Sequence, residues 1–377
     1  MTIVLGPSTL MDKALPAGID QGYVAQWKLQ DGMSYQQVAE TLATAVGTVN
    51  ESMVAKWGWL ISFTEHIMVE YAQGNATEPM QKITDDTRPK PIKAGLIGHM
   101  VEADIHGDAI AGTRHFWERA RSKQILASIG AIVERAVWRF ELNLLNRFFV
   151  NTEYAIGSGG YNVPFVRGSG GNIDFIPAAY EGQTFAATHN HFTGYNASTP
   201  KTFADVFEGL AATLVHHGHK PPFKALVSRT DVDAGTFNTL SGIVRFLNVT
   251  GGLIVAGGST TSPQFYQQAA NDFDHVADYQ TANGIIQLIA TSRVPTGYVG
   301  MAKSYGHLDA RNPLIVYTYP GKGFGVTVVP QTVAYQEVPI SQIDVEFEFG
   351  VGVGQDRTNG AVAYLVAGGT YANATIT

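Results

Sequence analysis

"IDVEFEFGVGVGQDRTNGAVAYLVAGG", residues Ile343 to Gly369, is the stretch whose reading decides the fold. Asp344, Glu346 and Glu348 alternate with Ile343, Val345, Phe347 and Phe349. A period of two predicts a β-strand with carboxylates on one face and apolar groups on the other. Like charges in a row on one sheet face repel each other and favour basic neighbours. These stand along the middle of the strand, a geometry that suits a charged surface better than a catalytic rim. The apolar side is expected to pack on a long helix. "GQDRTNG" then reads as a turn, with Asn359-Gly360 suited to positive φ, and "AVAYLV" as the returning arm of a closing β-hairpin.

The helix that such a strand needs lies upstream. "SKQILASIGAIVERAVWRFELNLLNRFFV", Ser122 to Val150, places apolar residues at Ile125, Ile129, Ile132/Val133, Ala136/Val137, Phe140, Leu144 and Phe148. That is a 3.6-residue stripe, and at about 1.5 Å per residue the helix would run roughly 43 Å. Its other face carries Glu134, Arg135, Arg139 and Arg147. Residues 1–33 hold Pro and Gly signals without periodicity and read as an extended arm. Ser34 and Gln37 form a capping box that opens one or two helices over 35–72, with a break near Gly47 or Gly58.

Residues 80–115 mix Pro89, Pro91 and four glycines with short apolar pieces, which predicts a polar β-hairpin or extended loop. Arg88, Lys90 and Lys93 cluster at one end of it. Beyond 155 the chain is Gly-rich. Thr202 as N-cap, Asp205 at N3 and Gly218 just past the end frame a further helix. Short strands follow in "KALVS", "GGLIVAGG", "GIIQLIATSRVPTGYVG", "PLIVYTY" and "FGVTVVP", so 200–330 reads as an α+β domain and 331–377 as β.

Composition narrows the function classes. The 377 residues suffice for two or three domains. Only 15% are charged, which suggests that partners cover much of the surface. A net charge of −7 speaks against strong nonspecific nucleic-acid binding. The absence of cysteine excludes disulfides, thiolate nucleophiles and thiolate metal ligands. No signal peptide or membrane-spanning run is expected. Sequons at Asn50, Asn75, Asn196, Asn248 and Asn373 are then read as chance.

The chemical motifs are thin. "GSGG" and "GKGFG" lack phosphate-loop spacing, and G-x-S-x-G is absent. His189 and His191 stand two apart, and His216, His217 and His219 end the 203–217 helix. Together they could offer imidazoles to a metal. A histidine at a helix C-terminus is equally well explained by the helix dipole. No carboxylate stands at a recognised metal spacing beside them, so no metal, cofactor or catalytic residue is expected.

The order of elements resembles the major capsid proteins of tailed bacteriophages, the Hong Kong 97 fold, over roughly residues 80–370. It runs from an arm through a basic hairpin, a very long helix and an α+β domain to a closing β segment. The resemblance implies an α+β fold with 1–80 as N-terminal arm and helices, 81–119 as the E-loop, and 120–199 as P-domain with spine helix 122–150. It further implies 200–330 as A-domain and 331–377 as a C-terminal P-domain β-hairpin. It implies a non-enzymatic shell protein, a homo-oligomer of pentamers and hexamers around nonspecifically held double-stranded DNA. Scaffolding, portal and decoration proteins would be partners, with a separate scaffold because 1–80 is too short and apolar to be one. Assembly would occur in the bacterial host cytoplasm.

In such shells the E-loop lies across the next subunit. Arg88, Lys90 and Lys93 are therefore expected to face acidic positions such as Glu346 and Glu348, with Asp344 and Arg357 as further inter-subunit contacts. Lys90 or Lys93 with Asn359 would be the nearest candidates for an isopeptide cross-link, and Arg135, Arg139 and Arg147 for an inward-facing set. The rivals are an encapsulin shell and a metal-dependent hydrolase built on the two histidine groups.

Overall fold

The long amphipathic stripe forms a helix, and the alternating carboxylates form a strand against it. The computed structural model describes residues 28–73, 95–196, 202–240, 243–245, 274–333, 340–366 and 368–376. Arg88, Lys90, Lys93 and "GGLIVAGG" lie outside these residues. Two compact units emerge. The first comprises Met1–Trp57, Ala103–Glu141 and Tyr317–Gly350, the second Gly58–Glu102, Leu142–Val316 and Val351–Thr377.

In the first unit, α1 (Tyr35–Trp57) opens on the expected capping box: the Ser34 amide donates to Gln37 Oε1 at 2.8 Å and the Gln37 amide to Ser34 Oγ at 3.2 Å. The helix runs through Gly47 and stops before Gly58, so the helical expectation for 35–72 holds only to Trp57: Ile61–Thr64 and Met68–Gln73 are strands. Strand β4 (Asp104–Thr113), the short α2 (Arg114–Arg119) and α3 (Ser122–Phe149, of which this unit takes the part to Glu141) follow. The unit closes with β14 (Val326–Val333) and β15 (Ile340–Val353), the latter as far as Gly350. β15 is a central strand, antiparallel to β4 on one side and β14 on the other. Its apolar face meets α3 as expected: the Phe140 ring lies 5.1, 5.4 and 6.1 Å from Phe324, Phe349 and Phe347. The Lys56 ammonium bonds the buried Glu141 carboxylate at 2.6 Å.

In the second unit, β1 (Ile61–Thr64) and the antiparallel pair β2 (Met68–Gln73) and β3 (Gly95–Met100) come first. The ladder that brackets the basic segment therefore starts at Met68, ahead of residue 81. Next come β5 (Tyr154–Ala155), β6 (Tyr161–Asn162), β7 (Phe192–Asn196), α4 (Phe203–His216), β8 (Phe223–Ser228) and α5 (Arg229–Asp233). β9 (Ile243–Arg245), β10 (Asp274–Thr281), β11 (Gly284–Thr291), β12 (Tyr298–Ala302), β13 (Leu314–Tyr317) and β16 (Ala361–Val366) complete it. α4 begins on the predicted box, the Thr202 amide donating to Asp205 at 2.7 Å, and ends at Gly218 with φ +86. A seven-stranded sheet in the order β7-β16-β12-β8-β11-β10-β9 carries α4, and Val206, Phe207, Leu210 and Leu214 seal against Phe223, Ile286 and Leu288.

The closing hairpin expected over 331–377 is corrected by this sheet. β16 does not return along β15; it pairs antiparallel with β12 and parallel with β7. Neither Asn359 nor Gly360 adopts positive φ. Asn359 is fully buried and acts as a bracket between loops. Its amide nitrogen donates to Lys303 O (2.9 Å) and Arg311 O (3.0 Å), and its Oδ1 accepts from the Lys303 amide (2.8 Å). A side chain so engaged is no candidate for an isopeptide bond.

Candidate functional site

The carboxylate ridge is built by strand period alone. Asp344, Glu346 and Glu348 are half-buried while Ile343, Val345, Phe347 and Phe349 are buried, so the alternation holds through the strand. On the β4 side their partners are Ala109, Gly107 and Ile105, all exposed. On the β14 side Asp344 and Glu346 face Val329 and Thr327. The ridge therefore stands between low neighbours on an exposed sheet face. At one end Lys322 donates to Glu348 at 2.6 Å, a contact that raises the lysine pKa. At the other, Gln342 Nε2 donates to Asp344. Glu346, between them, has no hydrogen-bond partner for its carboxylate among the described residues.

On the ridge face Ile105, paired with Glu348, is 67% exposed; elsewhere in the first unit Leu126, Trp138 and Tyr319 are also exposed. In the second unit Leu96 and Met68 on β3 and β2 are exposed too.

Two expected surface cations lie elsewhere. Arg357 is 1% exposed; its Nε donates to Pro164 O at 3.0 Å and its guanidinium sits 4.7 Å from the Phe175 ring centroid. Burial depresses its pKa. Its place is the interior of the second unit, so it is withdrawn as an inter-subunit contact. Arg147 is buried as well, and its Nη2 donates to the carbonyls of Val150 (2.8 Å) and Thr152 (3.0 Å) just past the end of α3. A cation in the last helical turn meets carbonyls that the helix leaves unbonded, which takes Arg147 out of the inward-facing set. Arg135 bonds Asp108 at 2.9 Å on the first unit's surface.

The histidines converge. His189 and His191 flank Asn190 at the entry to β7, and His217 is the residue that ends α4. Their Nε2 atoms stand 2.8, 3.0 and 3.1 Å apart. Phe185 stacks on the His217 ring with centroids 4.1 Å apart. Burial, with neighbouring imidazoles adding to it, lowers the His217 pKa to about 2, and burial lowers that of His191 to about 3. Burial also lowers that of His189, so the environment favours the neutral form of each ring. His216 is no part of the group. His219 is buried separately, 2.9 Å from Tyr305 Oη and 3.0 Å from Thr358 Oγ1. The sequence offered both histidine groups to one metal without settling that they meet; across the 26 residues between His191 and His217 the fold brings three of the five together.

No protein-family model and no curated protein matches the sequence. Solved structures do. A chain of Mycobacterium phage Patience is 18% identical, with 95% of this chain and 96% of that one covered and a TM-score of 0.63. A chain from the asymmetric unit of the bacteriophage PhiM1 mature capsid is 11% identical (81% and 85% covered, TM-score 0.47). One from the capsid of the native GTA particle is 10% identical (83% and 91% covered, TM-score 0.45). The first shows that the mixed α+β fold is shared nearly end to end with a chain of that phage.

Proposed function

We propose that this chain is a major capsid protein of a tailed bacteriophage, which assembles as pentamers and hexamers into an icosahedral shell around double-stranded DNA. The fold shared over 95% of the chain with that of phage Patience carries this reading. The role is structural rather than catalytic, its location the virion capsid after assembly in the host cytoplasm. Within the shell, 81–119 with the β2–β3 ladder acts as E-loop, α3 as spine helix, and the seven-stranded sheet as A-domain. Scaffolding, portal and decoration proteins are partners of the assembling shell.

The ridge of Asp344, Glu346 and Glu348 receives the E-loop of the next subunit through Arg88, Lys90 and Lys93. The exposed sheet face with small neighbours supports this docking. Each exposed pair contributes only about 0–1 kcal/mol, so the contacts act through register and repetition over the shell. Negative-stain electron microscopy with sedimentation of the recombinant protein tests the function. Closed shells, or capsomers that close when scaffold is supplied, are expected; a monomer or dimer that never assembles overturns the reading.

A further inference from the structure

We infer that His189, His191 and His217 form a binding site for one divalent transition-metal ion of the zinc class, held through their three Nε2 atoms. The inference stands on the second unit alone and does not depend on the shell.

The geometry of protons carries it. His191 Nδ1 lies 2.7 Å from Gly360 O. A carbonyl only accepts, so the proton sits on Nδ1 and the His191 Nε2 presents a lone pair to the other two rings. Suppose one of His189 and His217 carries its proton on Nε2. That hydrogen satisfies one edge of the triangle well, and the remaining ring faces His191 lone pair to lone pair. Suppose both do. Two N–H groups then point at each other across the 2.8 Å edge. With neither protonated at Nε2, all three edges oppose lone pairs. No assignment of neutral imidazoles satisfies the triangle, and burial opposes a charged ring. A cation bonded to all three lone pairs does satisfy it.

Size and chemistry agree. Tetrahedral ligation at about 2.0–2.1 Å sets nitrogen donors roughly 3.3 Å apart. The observed edges open to that by a few tenths of an ångström through small ring rotations. Three neutral imidazoles suit zinc, cobalt, nickel or copper, while calcium and magnesium prefer oxygen. The Gly360 carbonyl behind His191 fixes tautomer and ring orientation as an outer-shell partner does. His191 is also anchored at its backbone: its amide donates to Val166 O and its carbonyl accepts from the Val362 amide, both at 2.8 Å. A bound ion would tie the entry of β7 to the end of α4 and, through His191, to the segments at 166 and 360–362. The cluster holds no carboxylate among the described residues, so the donor set is three imidazoles. Half-burial of His189 and His217 leaves the fourth position to water.

The test uses the full chain freed of metal with a chelator and titrated with cobalt(II), followed by the visible absorption of the ion, and then with zinc as competitor. One cobalt per chain is expected, with intense tetrahedral-type bands that zinc bleaches and a thermal midpoint raised by several degrees at saturating metal. His217→Gln and His189→Gln are expected to weaken binding by at least about 100-fold, since even outer-shell losses cost 10–100-fold. Binding by either variant as tight as wild type, or weak octahedral-type bands without a thermal shift, overturns the site. If the variants do not fold, carbethoxylation of the wild type decides. Zinc must protect His189 and His217 in peptide mass spectra, and equal modification with and without zinc overturns the site.

Discussion

The two units handle polarity in opposite ways. In the first, Asp344, Glu346 and Glu348 stand outward on a sheet face, and the Lys56–Glu141 pair is the notable inward charge. In the second, Arg147, Arg357, Asn312, Asn359, His99, His191 and His219 are each 3% exposed or less. An outward charge stays in water until a neighbour covers it, so it costs the subunit little. An inward polar group must find its partners inside the unit, which makes it a constraint on the chain path. Asn312 illustrates this: its Nδ2 donates to Gly58, Ile61 and Gly306 carbonyls and its Oδ1 accepts from the Tyr305 amide. Substitutions in the second unit should therefore strike folding, and those on the first unit's ridge should strike assembly.

The sharpest break of that comparison is Asn359→Ala. It removes three hydrogen bonds and leaves the Lys303 amide and two carbonyls without their partner. At about 1–3 kcal/mol for each buried group left unsatisfied, partly relieved by water, a loss of roughly 3–5 kcal/mol is expected. Chemical denaturation of the unassembled subunit measures it. A loss below about 1 kcal/mol would mean that the bracket between the 303, 311 and 359 loops is not what holds them.

An intermediate effect is expected from pH. His99 donates from Nε2 to Val353 O at 2.9 Å, and its Nδ1 is buried without a partner among the described residues. Burial, reinforced by the positive charges of Arg357 and Arg147, lowers its pKa to about 3. An unfolded histidine titrates near 6.5. Between these values the unfolded chain binds a proton that the folded chain refuses. The contribution is thus fully present above about pH 6.5 and is lost as pH falls toward 3, at up to about 1.4 kcal/mol per pH unit. Other buried histidines act in the same direction, so the difference between wild type and His99→Gln isolates this one. Glutamine can keep the bond to Val353 O and cannot charge. Parallel stability profiles between pH 6.5 and 4 would exclude His99 as a contributor.

Local signals were legible, and non-local pairings were not. The β15 alternation, the α3 stripe and the two capping boxes each depend on residues a few positions apart, and each holds. The path of β16 depends on β7 and β12, more than a hundred and about sixty residues upstream. Asn359-Gly360 carries a hairpin signature, yet burial and three bonds to distant loops override it. One clue was present. "AVAYLV" lacks the alternation of a half-exposed arm, and an unbroken apolar run fits a strand inside a covered sheet. Ala361 to Ala363 are indeed all buried. Arg147 and Arg139 were given one helix face by spacing, but Arg147 stands in the final turn, where its reach to the terminal carbonyls outweighs the wheel.

The smallest effect on the subunit, and the most telling for assembly, belongs to Glu346. Glu348 already has Lys322 and Asp344 has Gln342, so changes there disturb the strand's own contacts as well as a neighbour's. Glu346 isolates the outward term. On an exposed face Glu346→Lys should move subunit stability by no more than about 0.5 kcal/mol. In a shell the reversed charge would stand against Arg88, Lys90 and Lys93 at every copy, and a small repulsion repeated over each interface becomes large for the particle. Shell yield by sedimentation should fall sharply while the denaturation midpoint of the subunit stays in place. Adding Lys90→Glu and Lys93→Glu to Glu346→Lys should restore part of the yield if these basic residues are the true partners. Normal particles from Glu346→Lys would show instead that the ridge faces solvent in the shell, and that the contrast between the two units reflects solubility rather than docking.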